Sequence, residues 1–158
     1  MSRSHARGPH RARTPARRLL TARLRTGAAD RRRLRDAVDA LGSREGLAAE
    51  LVTTVQIVLD EIVSNVFVHG ATTQRAATVS VVVARDGGDL TIEVEDDGAP
   101  FDPLAQPPPD LERPLEARRP GGVGVHLVRH LMDEARYERR AGRNRLLLRK
   151  RLAGAGAT

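Results

Sequence analysis

Between residues 46 and 68, apolar side chains recur at intervals of three and four: Leu47, Leu51, Val55, Val58, Leu59, Ile62, Val63 and Val66. That is the period of a helix with one face turned to a core, and Gly70 is a fitting stop for it. Residues 77–84 and 90–95 are β-branched runs separated by Arg85-Asp86-Gly87-Gly88-Asp89. They predict an antiparallel hairpin turned on glycine. Weak alternation over residues 19–25 suggests an edge strand. Asp30 then stands where an N-cap would start a helix running to about Leu41, with Gly42 ending it. Toward the C-terminus, Val125, Leu127, Val128, Leu131 and Met132 predict a helix over residues 123–134. Residues 135–138 and 145–152 read as a closing hairpin turned at Ala141-Gly142-Arg143-Asn144.

One stretch carries no period. Residues 103–120 hold six prolines, and a long loop inside a compact domain is usually a lid or a binding loop. The order strand, helix, helix, strand, strand, lid, helix, strand, strand implies an α+β fold. It predicts a two-layer α/β sandwich in which helices cover one face of a mixed, mainly antiparallel sheet.

A chain of 158 residues has room for one such domain and no second. The formal charge of +7 looks at first like a nucleic-acid signal, but its distribution changes that picture. Residues 1–26 hold eight arginines and no acid, leaving nineteen basic and twenty acidic residues beyond them. The expected organisation is an Arg-rich, disordered tail over 1–26, a near-neutral domain over 27–153 and a short tail over 154–158. Phe67, Phe101 and Tyr137 are the only aromatics, too few for base stacking, so direct nucleic-acid binding is not expected. The absence of cysteine removes disulfides, thiolate metal sites and cysteine nucleophiles, and fits a cytoplasmic protein. No apolar run is read as approaching the ~20 residues of a spanning helix, so no membrane contact is expected.

Three segments carry candidate chemistry. Glu61, Asn65 and His69 lie four apart, so a carboxylate, an amide and an imidazole share one helix face. An amide oxygen is a hard-cation ligand, which hints at magnesium beside a base, although a solvated polar stripe gives the same spacing. Glu95-Asp96-Asp97-Gly98-Ala99-Pro100-Phe101-Asp102 follows a strand. A carboxylate there can accept from an exocyclic amine while Gly98 lets a ligand come close, or the segment is an ordinary acidic turn. In Gly121-Gly122-Val123-Gly124, glycines open a helix whose unpaired N–H groups suit phosphate, unless they form a simple hinge. This run is neither a dinucleotide fingerprint nor a P-loop, because Leu127 stands where a third glycine would fall and Lys150 is the only lysine. His126 and His130, four apart, read as helix surface in preference to a metal pair.

In this order, the three segments resemble the N, G1 and G2 boxes of the GHKL superfamily of ATPases, the gyrase, Hsp90, histidine kinase and MutL type. The likeness spans about residues 30–152. Asp60-Glu61 through His69, Asp96 through Pro103, and Gly121 through Asp133-Glu134 with Tyr137 after it look most like the stand-alone anti-sigma factor serine/threonine kinases of bacteria. The resemblance implies a fold of the Bergerat type, ATP and Mg2+ as cofactors, and Glu61 as general base. It also implies Asn65 as the magnesium ligand, Asp96 on the adenine amine, Gly98 shaping the adenine pocket, and Gly121, Gly122 and Gly124 along the phosphates. His69 matches a frequent family histidine, with packing or capping of the helix end as its expected role. Pro100 departs from the wider D-x-G-x-G motif. Val68 stands where a basic residue often precedes the histidine. No phosphoacceptor helix or sensor domain accompanies the site, so a complete histidine kinase is not expected.

The resemblance therefore implies a kinase that transfers the ATP γ-phosphate to a serine or threonine of a small antagonist protein and regulates a sigma factor, and it leaves a homodimer open. The alternative is a nucleotide-gated protein-binding module without phosphotransfer. A third class, nucleic-acid binding through the Arg-rich tail, would disappear on removal of residues 1–26.

Overall fold

A computed structural model describes residues 15–25, 27–70, 77–106 and 122–152. The elements run β1 (Arg17–Leu24), α1 (Ala28–Glu45), α2 (Ala49–Asn65), a π-helical turn (Val66–Gly70), β2 (Val79–Asp86), β3 (Asp89–Asp96), a 3-10 turn (Pro103–Ala105), α3 (Gly122–Leu131), β4 (Glu134–Arg140) and β5 (Arg143–Arg151). The strands form one sheet in the order β1-β2-β3-β5-β4. All four pairings are antiparallel.

Alternation decides which face of the sheet is covered. Val79, Val81 and Val83 on β2, Leu90, Ile92 and Val94 on β3, and Leu146 and Leu148 on β5 are buried. They join Leu34 and Val38 of α1, Val55, Val58, Leu59, Ile62 and Val63 of α2, and Val128 of α3 in one core. The intervening residues point to the other face, where Arg145 pairs with both Glu93 and Glu138. Those two carboxylates hold its guanidinium pKa well above the usual arginine value. The result is the expected two-layer α+β sandwich. β1 is an edge strand, with a register shift between Arg18 and Leu20.

Several boundaries differ from the sequence expectations. Asp30 is not an N-cap: the helix begins at Ala28 after Gly27, and Asp30 in its first turn accepts from the Arg25 amide at 2.7 Å. Gly42 does not end α1. It is buried within the helix, where a Cβ would overlap Val52 of α2, and the left-handed stop falls at Gly46 (φ 61°). A glycine can mark a close approach as well as a terminus, and here the approach is between two helices. The edge strand suggested over residues 19–25 is present as β1, which begins two residues earlier and lies inside the segment expected as tail: Leu20, Ala22 and Leu24 pair with β2 and Leu24 is buried. The stretch Ala49–His69 is, contrary to expectation, long and apolar enough to cross a bilayer by length and composition. Its apolar side is nevertheless spent on the core, through Val55, Val58, Leu59, Ile62 and Val63. The turn between β4 and β5 is the two residues Ala141 and Gly142, both at positive φ (50° and 76°). Such a turn matches the twist of a hairpin, and it returns Arg143 and Asn144 to β5. Residues 1–14, 107–121 and 153–158 lie outside the described residues, and with them most of the expected lid, Gly121 and the C-terminal tail.

Candidate functional site

The site is built on the ends of α2 and β3. Ile62 and Val63 anchor α2 in the core, which leaves Asn65 on the cleft between α2 and the sheet and Glu61 against Gly124 of the C-terminal helix. Asn65 is 8 % exposed, and its Nδ2 has no hydrogen-bond partner among the described residues. A buried donor left open in this way normally has a partner supplied by water or ligand. Glu61 is half-buried. Loss of hydration, with the nearby Asp60 charge second, pushes its carboxyl pKa above the ordinary glutamate value.

His69 leaves this stripe. The π turn after Asn65 breaks the four-residue register, and the imidazole stacks on Phe101 with centroids 4.4 Å apart and planes 16° apart. It packs the helix end against the loop after β3, in line with its expected packing role.

Asp96 ends β3 and is 5 % exposed. Its Oδ1 accepts the Gly98 amide at 2.9 Å and Asn144 Nδ2 at 2.9 Å. No partner engages Oδ2 among the described residues. Burial is the largest influence on this carboxyl and raises its pKa, against the two hydrogen bonds that favour the charge. The loop that follows is fixed at each step. Asp97 accepts the Thr78 amide at 2.7 Å, and Asp102 accepts the Leu104 amide at 2.8 Å.

Asn144 is the residue that sequence reasoning missed. The sequence pattern places it in a turn, yet it is buried, pairs with Asp96 across the β3–β5 ladder, and donates to the Ala99 carbonyl at 2.8 Å as well. Its Oδ1 accepts Tyr137 Oη at 2.8 Å and Arg139 Nη1 at 2.7 Å, while Arg139 Nη2 reaches the Gly142 carbonyl at 3.0 Å. The β4–β5 hairpin thus holds Asp96 in place from behind. A signal existed: Asn144 lies two and four residues before Leu146 and Leu148, on the strand face that those leucines turn to the core.

Between α2 and the sheet lies a narrow cleft. Asp96 and Asn144 stand on its strand side, Ile62, Asn65 and Val66 on its helix side, and Val94, Leu146 and Phe101 give it an apolar lining. A flat heterocycle with one exocyclic amine suits these walls. α3 starts at Gly122 and packs against α2. Gly124, expected along the phosphates, is buried, and its Cα faces the Glu61 carboxylate, which a Cβ there would overlap. Arg129 of α3 donates to the Leu104 carbonyl, tying the helix to the 3-10 turn. His126 and His130 stack obliquely with centroids 4.3 Å apart, and His130 Nδ1 lies 2.9 Å from the His126 carbonyl. No cluster of three or more His, Cys, Asp or Glu suited to a metal occurs among the described residues.

A two-layer sandwich with a strand-end carboxylate over an apolar cleft, a polar helix face opposite and a glycine-opened helix alongside defines the class of nucleotide-binding ATPase domains. The model of the histidine kinase-like ATPase domain matches residues 24–150, and the chain belongs to that family, as its sequence motifs imply. Membership implies ATP as the nucleotide. Among curated proteins, the chain is 31 % identical over 111 residues to a serine/threonine-protein kinase, BtrW, of Bordetella bronchiseptica, covering 70 % of this chain and 78 % of that protein. It is 31 % identical over 126 residues to an anti-sigma F factor of Clostridium novyi, covering 75 % and 83 %. A second anti-sigma F factor, of Clostridium acetobutylicum, is 27 % identical over 112 residues, covering 66 % and 73 %. These relatives support an anti-sigma factor, kinase-like role.

Proposed function

We propose that this chain is an ATP-dependent protein serine/threonine kinase of the anti-sigma factor type, which moves the γ-phosphoryl group of ATP to a small antagonist protein and binds a sigma factor. The observation that carries the reading is Asp96: both its protein hydrogen bonds fall on Oδ1, which leaves Oδ2 to accept an adenine amine in the cleft. Gly98, buried beside it, shapes the pocket. Gly122 opens α3 and offers its backbone N–H to the phosphates, with Gly121 before it in the sequence.

Phosphoryl transfer needs mainly positioning and charge neutralisation. Glu61 takes the proton of the incoming serine or threonine hydroxyl as its oxygen attacks the γ-phosphorus, and the bond to the β–γ bridging oxygen breaks to release ADP. Asn65, buried on the helix side of the cleft, would hold magnesium through its amide oxygen, and the ion would supply charge neutralisation at the phosphates; its open Nδ2 is a donor that suits a water or phosphate oxygen. Both names among the relatives, kinase and anti-sigma factor, accord with this reading.

The test is transfer from radiolabelled ATP to the antagonist recovered by pull-down, with nucleotide affinity measured separately. Glu61→Ala is expected to keep magnesium-ATP binding while transfer falls by about 10² to 10⁴. Asn65→Ala is expected to weaken both. Wild-type protein that binds ATP and engages the antagonist without labelling it would overturn the kinase reading. The nucleotide-gated binding module would then stand, a reading favoured by the two relatives named for sigma-factor antagonism alone.

A further inference from the structure

Glycine in a helix needs a reason, since alanine is the better helix former. Gly124 has none in its backbone, because it is not among the residues with positive φ. Its reason is spatial. A Cβ built on it would overlap the Oε2 and Cδ atoms of Glu61 and stand 3.2 Å from Cγ.

We infer that Gly124 is a positioning residue for Glu61: its bare Cα, in the first turn of α3, is the seat that holds the glutamate carboxylate one helical turn before Asn65, which lines the cleft. The inference rests on the reading of Glu61 as the base and adds to it the means of its placement. α3 cannot retreat to make room for a larger residue. Val125 beside it is buried, and Val128, one turn on, is buried in the same core as Ile62 and Val58 of α2. What yields is the far end of a flexible side chain, so a methyl group at position 124 displaces the carboxylate and leaves the helices where they are. The environment of the carboxylate agrees with a seat that excludes water. Burial raises its pKa, among the described residues the Asp60 charge adds to this, and the first turn of α3 brings no acidic side chain to it. A general base gains rate by being held in place, and one missing β-carbon supplies that restraint.

The experiment is an NMR titration of the Glu61 side-chain carboxyl in wild type and in Gly124→Ala, with thermal melts of both. Gly124→Ala is expected to melt within about 3 °C of wild type, while the Glu61 midpoint falls back toward that of an exposed glutamate. A merely structural glycine would not move that midpoint, and an unchanged midpoint in the folded variant overturns the inference. If Gly124→Ala does not fold, the double variant Glu61→Ala with Gly124→Ala decides. Recovery of folding once the carboxylate is gone supports the seat, and continued failure shows that the methyl group meets something else. Calorimetry with magnesium-ATP on the wild type keeps the two proposals apart: absence of binding sinks the kinase reading, while the seat still stands or falls on the titration.

Discussion

Asp96 is the residue on which binding and stability should separate. Its pKa is raised by burial, so the folded protein binds this proton more tightly than the unfolded chain. Protonation therefore favours folding: the stabilising contribution is present at low pH and is lost as pH rises through the raised folded value. Asp96→Asn keeps an oxygen for Asn144 and Gly98 without the buried charge. It is expected to be at least as stable as wild type at neutral pH, with the difference narrowing as the buffer is acidified, which denaturant midpoints across pH would show. ATP affinity should fall by about 1–3 kcal/mol, the cost of an unmatched buried polar contact, because an amide can turn a donor toward the adenine amine. Unchanged affinity by calorimetry would remove Asp96 from the adenine site. Asn144→Ala should instead damage both properties. It strips partners from Asp96, Ala99, Tyr137 and Arg139 together, and a stability loss of about 1–3 kcal/mol is expected, accompanied by weaker ATP binding.

At the scale of elements, what matters is how closely two helices approach. Gly42 lets α1 approach α2 until Val52 fills the space of its missing side chain. Helix propensity favours Gly42→Ala by roughly 0.5–1 kcal/mol, while overpacking costs roughly 1–3 kcal/mol. The clash should win, so thermal or denaturant unfolding is expected to show net destabilisation. Val52→Ala in the same chain should recover most of it. A stabilised single variant would mean that the helices are free to part. The hairpins were legible because turn chemistry is local. Arg85 to Asp89 predicted the β2–β3 turn, and the structure has Asp86 paired with Asp89 across Gly87 and Gly88. The β4–β5 turn was placed correctly but drawn two residues too long. The consequence was large, since Asn144 moved from solvent to the centre of the site.

For the whole molecule, the N-terminal boundary is the sharpest question. Composition reads residues 1–26 as a tail, because eight arginines outweigh a few leucines, while alternation over 19–25 reads the end of that segment as an edge strand. β1 nevertheless pairs with β2 along most of its length, Leu24 is buried, and Arg17 and Arg44 make contacts between β1 and α1 through Glu45 and the Leu19 carbonyl. Deleting residues 1–26 removes that edge strand. Leu24 alone is worth about 1.5–3 kcal/mol of burial, so a clear drop in the denaturant midpoint is expected. Deletion of residues 1–14 leaves all of these contacts intact and should leave the midpoint unchanged. Equal stability of both truncations would show that β1 contributes nothing.

The sequence by itself determined the layers and the chemistry on offer. Period decides which face of each helix and strand is apolar, and four-residue spacing decides that Glu61 and Asn65 share a helix face. Order along the chain decides that an acidic strand end and a glycine-opened helix follow them. Tertiary structure alone decided which of these groups meet. Asn144 joins Asp96 from 48 residues away, His69 turns to Phe101 because a π turn shifts the register, and Gly42 and Gly124 serve neighbouring helices instead of their own ends. The physical reason is the same in each case. Periodicity and turn preference are properties of a few adjacent residues, whereas a hydrogen bond across a sheet or the room left by a missing β-carbon depends on distances that exist only once the core has packed.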